Sequence, residues 1–354
     1  MKTILLLALL LLSALVAPAQ HAGLAALLQQ QRVPGMQLIH TKGGKTTAYS
    51  VGQRRAGQAA PVTAGTIFQA ASLGKVVLAY AALRLVDQGR LDLDQPLLTY
   101  GPYPRLNGEP RAARITARMV LGHTTGLPNW ADNPLGPTWK TSVLRLKFAP
   151  DSCWSYSGEG YAFLQKTLEH ITGESWEVLA RQQVFGPLKM TNSSFVWQPR
   201  FAANAATGHD KAGKPTEIRQ FQEANAGFSL LTTAADYRRF VQALATGTGL
   251  TPATARLLTT AANAANRCGH APTPTDARIA WACGVGLVNT SRGPALWHWG
   301  DNDDCQNFFL TFPATGESLV FFTNGANGLR LTDELLRRFV GPGEYYTQQW
   351  LNEK

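Results

Sequence analysis

Across 354 residues the chain is 45% apolar and only 16% charged, with a formal charge of +10. That composition excludes a disordered, fibrous or repeat-built protein and leaves room for one large or two intimate domains with a substantial core. The basic residues are scattered, with no basic helix and no stacking platform, so a nucleic-acid partner is not expected. The charge is read as keeping the protein soluble and as suiting an anionic cell envelope.

In chain order, the first element predicted is a secretory signal over residues 1–19. Lys2 supplies the charged start, Ile4 to Val16 the apolar stretch, and Ala17-Pro18-Ala19 a small-x-small cleavage site. The apolar stretch falls short of the ~18 residues that span a bilayer, and no later segment is apolar and long enough. The first cysteine is Cys153, so no lipid-bearing cysteine follows the signal. A periplasmic or secreted product without stable membrane insertion is therefore expected. Its four cysteines, Cys153, Cys268, Cys283 and Cys305, would meet an oxidising compartment. Three full pairings are possible, and their spacing matches no zinc site. The preferred pairing is Cys268–Cys283 as a loop staple and Cys153–Cys305 near the site described next, with free buried thiols as the alternative.

After the signal, a short amphipathic helix over Leu24–Gln31 leads into MQLIHTKGGKTTAYSVG. Here two β-rich runs flank Lys42-Gly43-Gly44-Lys45, a hairpin signature. A helix from Ser72 to about Gly89 is apolar on every face and so is predicted to be buried. From about Thr116 to Gly249 the pattern is mostly helical, with Thr or Ser starts and Gly ends. Strands return as WACGVGLVNT, ALWHWG, QNFFLTFP and SLVFFTNG, and TDELLRRFVG closes the chain as an amphipathic helix. Strands at both ends and helices between them predict an α/β fold of the α+β type. Its antiparallel sheet is built from both chain ends and flanked by helices, with a mainly helical domain inserted. The expected boundaries are residues 20–66 with 270–354 for the sheet domain and 67–269 for the helical one, with a cleft between them.

Three groups of residues carry chemistry. Ser72 and Lys75 lie one turn apart on one helix face, at the mouth of the buried helix. A lysine desolvated there loses affinity for its proton and can take one from serine, while the helix N-terminus offers N–H groups to an oxyanion. An N-capping serine beside a solvated lysine is the bland alternative. Tyr156, in CWSYSGEGYAFLQKTLE, opens a helix, and a tyrosine beside a lysine can lose its proton more easily and share the base role; otherwise it is a core aromatic. His298-Trp299-Gly300 ends a strand. Its histidine could donate to a substrate carboxylate or carbonyl, and its glycine lets the backbone approach a ligand. His123, in LGHTTGLP, is read as pinning a loop. No histidine cluster has metal-ligand spacing, so neither metal nor other cofactor is expected.

Taken in order, these elements resemble the serine β-lactamase-related family of class C β-lactamases, D-alanyl-D-alanine carboxypeptidases, D-aminopeptidases and related esterases. VPGMQLIHTKGGK is similar to its first hairpin, GTIFQAASLGKVV to its nucleophile helix and ITARMVLGHTTGLP to its Leu-x-x-His-Thr-Ser-Gly-Leu loop. YSGEGYAFLQKTLEHITG and HWGDN are similar to its second and third motifs. The resemblance runs from about Val33 to Val340. It implies that Ser72 is acylated, that Lys75 and Tyr156 move protons, and that the N–H groups of Ser72 and Asp301 form the oxyanion hole. His298 falls where some members carry the lysine of Lys-Thr-Gly. Gly158 stands where β-lactamases usually carry an asparagine that binds the acylamino group. Trp299 either narrows the cleft to small acyl groups or belongs to the core.

The expectation is a secreted serine hydrolase working through a Ser72 acyl-enzyme on a small-molecule or peptide acyl substrate. That makes it an esterase or a D-amino-acid or cell-wall (peptidoglycan-derived) peptide hydrolase. A class C-type β-lactamase and a catalytically silent penicillin-binding module are the alternatives. An α/β-hydrolase is excluded, because Ala70-Ala71-Ser72-Leu73-Gly74 is no Gly-x-Ser-x-Gly elbow and strands do not alternate with helices.

Overall fold

The computed structural model describes residues 20–353; the expected signal, 1–19, lies outside the described residues. Strands β1 (Gly35–Lys42) and β2 (Lys45–Gly52) pair antiparallel with Lys42 opposite Lys45. The loop is thus Gly43-Gly44, with φ of +55° and +76°. Two left-handed residues in a two-residue loop match the twist of the flanking strands, which is why glycine occupies both places.

The remaining strands are β3 (Phe68–Ala71), β4 (Leu230–Thr232), β5 (Ile279–Trp281), β6 (Gly286–Thr290), β7 (Gly293–Asp301), β8 (Gln306–Phe312) and β9 (Glu317–Thr323). Seven of the strands form one antiparallel sheet in the order β2-β1-β9-β8-β7-β6-β5, built from both chain ends, while β3 and β4 pair separately. Residues 20–30 form helix α1. The others are α2 (Leu73–Asp87), α3 (Ala117–Leu121), α4 (Gly158–Thr172), α5 (Trp176–Ala180), α6 (Ala234–Thr246), α7 (Pro252–Leu257), α8 (Thr332–Leu335) and α9 (Thr347–Asn352).

Both faces of the sheet are covered. Phe308, Leu310, Leu319 and Phe321 pack with Leu24 and Leu28 of α1, Leu335 of α8 and Trp350 of α9. Phe309, Val320 and Phe322 point the other way, into the core shared by α2 and α6. Alternate residues of a strand face opposite sides, so a strand buried on both sides reads as an unbroken apolar run. Helix α2 is the centre of the second core: Leu73 through Leu83 are all buried.

Capping follows the sequence closely. Thr233 accepts from the Asp236 N–H at the start of α6, and Gly247 ends it in the left-handed conformation. Two expectations are revised. WACGVGLVNT is two strands, β5 and β6, because the chain turns between them where Gly284 (φ +86°) packs on α2. A Cβ at Gly284 would stand 2.1 Å from that of Ala79. The stretch 116–249 is less helical than its pattern, since the connections 123–157 and 186–229 carry no α-helix. The segment 67–269 also carries β3 and β4. Among the described residues no helix is long and apolar enough to cross a membrane.

The disulfide is Cys153–Cys268, not the expected Cys268–Cys283 and Cys153–Cys305; Cys283 and Cys305 are buried free thiols. The cause is a backbone pairing between distant segments. The Trp154 N–H donates to the Asn266 carbonyl at 2.8 Å, and the Cys268 N–H returns to the Trp154 carbonyl at 2.9 Å. That juxtaposition brings the two Cα atoms to 5.2 Å across 115 residues of sequence. A loop of that length loses much closure entropy when cross-linked, worth about 4–5 kcal/mol in the chain-entropy account. Dithiothreitol should therefore lower the melting temperature by several degrees, and Cys153→Ser should melt alike with or without it.

Candidate active site

Ser72 stands at the N-cap of helix α2, and the residue before it, Ala71, has φ of +52°. A non-glycine residue is held there only when its surroundings over-determine it, and Ala71 is fixed by its pairing with Leu230 in β4. This sharp turn delivers the Ser72 hydroxyl to the cleft. Although Ser72 occupies the N-cap position, its side chain makes no cap hydrogen bond. The bland alternative of a capping serine therefore does not apply.

The hydroxyl instead meets Lys75 and a carbonyl. Lys75 Nζ lies 3.0 Å from Ser72 Oγ and donates to the Gly227 carbonyl at 2.9 Å, and Ser72 Oγ donates to the same carbonyl at 3.2 Å. Lys75 is buried and has no carboxylate partner among the described residues, and desolvation lowers its pKa to about 7. Aromatic faces surround it, with Nζ 4.9 Å from the Tyr156 ring centre and 5.7 Å from that of Trp130. At neutral pH a large share of this lysine is the free amine, whose lone pair can accept the Ser72 proton across the 3.0 Å contact.

The carbonyl that orients both groups was not found by sequence reasoning. Gly227 sits in a turn where its N–H donates to Asn225 Oδ1 at 2.8 Å. The turn packs against α2 at Gly74, where a Cβ would stand 2.6 Å from the Ala226 carbonyl. The Asn-Ala-Gly run of residues 225–227 is a turn signal, but nothing local says that it meets residue 72.

Tyr156 is held beside this pair. His123 Nδ1 accepts from the Ser157 N–H at 3.1 Å, and its ring lies 4.4 Å from that of Tyr156, so the loop-pinning reading of His123 fits. The expectation that Tyr156 would lose its proton more readily is corrected. Burial raises its pKa well above the ordinary range, outweighing the proximity of the Ser72 hydroxyl. The phenol therefore stays protonated.

His298 also requires a correction. It is fully buried, and its Nδ1–H donates to the Trp299 carbonyl at 2.7 Å. A carbonyl only accepts, so Nε2 is the unprotonated, accepting nitrogen. Burial lowers its pKa to about 3, leaving the ring neutral. It stacks behind Trp299, 5.0 Å between centres, and so supports the cleft wall rather than donating to a substrate.

Trp299 itself lines the cleft and stands 5.0 Å from Tyr156. Gly300 allows β7 to cross β3, since a Cβ there would stand 2.2 Å from the Ala70 carbonyl. Beyond that crossing, Asp301 lines the same cleft as Ser72. The Asp301 carboxylate accepts from the Asp303 N–H at 2.8 Å and from Gln306 Nε2 at 3.0 Å. The resulting cleft encloses about 530 Å³, with Ser72, Trp130, Tyr156, Phe228, Trp299 and Asp301 among its walls. At Gly158 a Cβ would stand 2.3 Å from Cζ2 of Trp130, a residue that sequence reasoning did not single out. Among the described residues no group of three His, Cys, Asp or Glu side chains is placed to hold a metal.

Comparisons with known proteins place the chain in a family and a fold. The family model described as Beta-lactamase matches residues 21–340. Penicillin-binding protein 4 of Amycolatopsis lactamdurans is 26% identical over 336 residues, covering 89% of this chain and 87% of that one. The D-alanyl-D-alanine-carboxypeptidase/endopeptidase AmpH of Escherichia coli (strain K12) is 30% identical over 183 residues, 47% of this chain and 46% of its own. In three dimensions, D-alanine carboxypeptidase AmpC from Burkholderia cenocepacia superposes with a TM-score of 0.72 at 20% identity, covering 89% of this chain and 96% of that one. A class C beta-lactamase superposes with a TM-score of 0.73 at 21% identity, covering 90% and 94%. Identities this low speak to the shared fold.

Proposed function

The chain belongs to the Beta-lactamase family and is a β-lactamase-related serine hydrolase; from that premise we propose that it works through a Ser72 acyl-enzyme as an esterase or cell-wall-peptide hydrolase rather than as an efficient β-lactamase. The observation that carries the mechanism is the contact of Ser72, Lys75 and the Gly227 carbonyl around a lysine titrating near 7.

The Lys75 amine takes the Ser72 proton as Oγ attacks the substrate carbonyl. The N–H groups of Ser72 and Asp301 receive the developing oxyanion. Tyr156 gives its proton to the leaving group as the acyl bond breaks, and the Lys75 ammonium restores it. Water then attacks the Ser72 ester by the same route in reverse.

The preference over β-lactam hydrolysis rests on charge and on the absent side chain at 158. A neutral His298 offers no cation on β7 for a substrate carboxylate, and the two arginines that line the cleft, Arg219 and Arg267, are each engaged by a carboxylate of the chain, Asp304 at 3.5 Å and Asp276 at 3.1 Å. Gly158 offers no amide to an acylamino group. Peptidoglycan-derived peptides are included because similar proteins bear the names penicillin-binding protein and carboxypeptidase/endopeptidase. Secretion or periplasmic residence is supported by the signal-like start and by the Cys153–Cys268 bond, which needs an oxidising compartment.

Intact-protein mass spectrometry after separate exposure to a fluorophosphonate and to benzylpenicillin tests this. An adduct present in the parent and absent in Ser72→Ala is expected with the fluorophosphonate. A long-lived penicilloyl adduct would favour the peptidase branch, and rapid loss of the antibiotic would favour the β-lactamase alternative. No adduct with either reagent would promote the silent module.

A further inference from the structure

The cleft has two aromatic walls, with Ser72 between them. On one side Tyr156 packs with Trp299, 5.0 Å between ring centres. On the other, Trp130 packs edge-on against Phe228 at 5.7 Å and Trp139 at 6.0 Å. A leaving group that takes its proton from Tyr156 departs along the first wall, so the acyl substituent must lie along the second. We propose that Trp130 is the residue that limits the size of the acyl group, an assignment that rests on the Ser72 acyl-enzyme reading. The substrates it admits are short, unbranched acyl donors, which selects the esterase branch of that reading over cell-wall peptides, whose acyl group is an α-branched N-acyl-aminoacyl.

The indole fills space that the backbone leaves open on both neighbouring elements. A Cβ at Gly158 would lie 2.3 Å from Trp130 Cζ2, and one at Gly227 would lie 2.9 Å from its Cη2. Both glycines are thus matched to one ring. In addition, Gly227 supplies the carbonyl that holds Ser72 and Lys75, so the ring abuts the reacting centre itself.

Trp130 is also anchored on both sides along the chain. Before it, Asn129 accepts the Gly158 N–H through Oδ1 and the Glu159 N–H through its carbonyl, both at 3.0 Å. After it, the Ala131 N–H donates to Glu159 Oε1 at 3.0 Å. Glu159 is wholly buried and accepts a bidentate pair from Arg105 at 2.6 and 3.0 Å, and Trp139 Nε1 donates to the same carboxylate at 2.9 Å. A ring tied to the first turn of α4 through both chain neighbours is a fixed wall and not a mobile flap, which is what size selection requires.

The test compares kcat/KM for p-nitrophenyl acetate and p-nitrophenyl octanoate in the parent, Trp130→Ala and Trp130→Leu. The octanoate-to-acetate ratio should rise at least tenfold in Trp130→Ala and by less in Trp130→Leu, which keeps apolar cover should the smaller residue fail to fold. In parallel, Gly158→Ala should lose activity when Trp130 is present and regain it in the double variant with Trp130→Ala, because the added Cβ then has room. An unchanged ratio in a variant that still turns over acetate overturns the assignment alone. No acetate turnover by the parent, or turnover that survives Ser72→Ala, overturns the acyl-enzyme reading and the assignment with it.

Discussion

Lys75→Met should lower kcat/KM for an activated ester by about 10³-fold while making the folded protein more stable at neutral pH. The loss is that of a general base in contact with the nucleophile, typically worth 10²- to 10⁴-fold. The gain follows from where the lysine sits. Its pKa falls from the ordinary 10.5 to about 7 through burial alone. At 1.4 kcal/mol for each tenfold change in proton affinity, that costs the fold about 4–5 kcal/mol at pH 7. Methionine removes this cost but leaves the Gly227 carbonyl and Ser72 with one partner fewer, about 1 kcal/mol each. A net stabilisation of about 2–3 kcal/mol is expected, visible as a rise in Tm.

The pH dependence has a definite sign. Between pH 7 and 10.5 the unfolded chain holds a proton on Lys75 that the folded protein has released, so parental stability rises with pH across that window and the penalty is complete below it. The advantage of Lys75→Met should therefore be largest below pH 7 and fade toward pH 10. Activity of the parent should rise on an acid limb near pH 7 and then stay level, because Tyr156 keeps its proton throughout. Urea unfolding at pH 6, 8 and 10, with pH–rate profiles of both proteins, reads all of these. A variant that stays active, or an acid limb far from 7, would remove Lys75 from the base role.

Arg105→Met should strongly destabilise the fold. Its guanidinium is 6% exposed and the Glu159 carboxylate it meets is 0% exposed. Removing one member of a buried ion pair strands the other charge, at about 3–5 kcal/mol. The loss extends further, because Arg105 also donates to the Ser142 carbonyl at 3.0 Å and to its hydroxyl at 2.8 Å. Both ends of the loop that carries Trp130 hang on this pair. Differential scanning calorimetry should show a drop of roughly 4–7 °C. The double variant Arg105→Met/Glu159→Met should recover part of it, since no charge is then left buried. A Tm within a degree or two of the parent in Arg105→Met would mean that the pair is not what holds the loop.

What was legible along the chain is what local chemistry dictates. The β1–β2 hairpin was readable because Gly43-Gly44 alone suits its turn, and α2 because a helix apolar on all sides has only the interior to occupy. The ends of α4 and α6 were marked by Ser157, Gly173, Thr233 and Gly247, whose roles depend on their own neighbours. Ser72, Lys75 and Tyr156 could be nominated because their types and spacing suit acyl transfer whatever else surrounds them.

The misreadings share one cause, a partner far away in sequence. Cys153 met Cys268 because two strand-like segments pair across 115 residues. His298 looked like a donor to substrate until its Nδ1 and its burial were known. Tyr156 and Lys75 both release or hold protons according to desolvation, which depends on everything packed around them.

By itself, then, the order of residues determined the sheet made from both chain ends, the buried helix and the Ser-x-x-Lys pair at its mouth, since backbone propensity, periodicity and side-chain type act within a few positions. The tertiary structure alone decided the protonation of Lys75, Tyr156 and His298, the Gly227 carbonyl that aims the serine, and the Trp130 wall over Gly158. Burial and close approach are properties of atoms brought together from distant parts of the chain, and no local pattern encodes them.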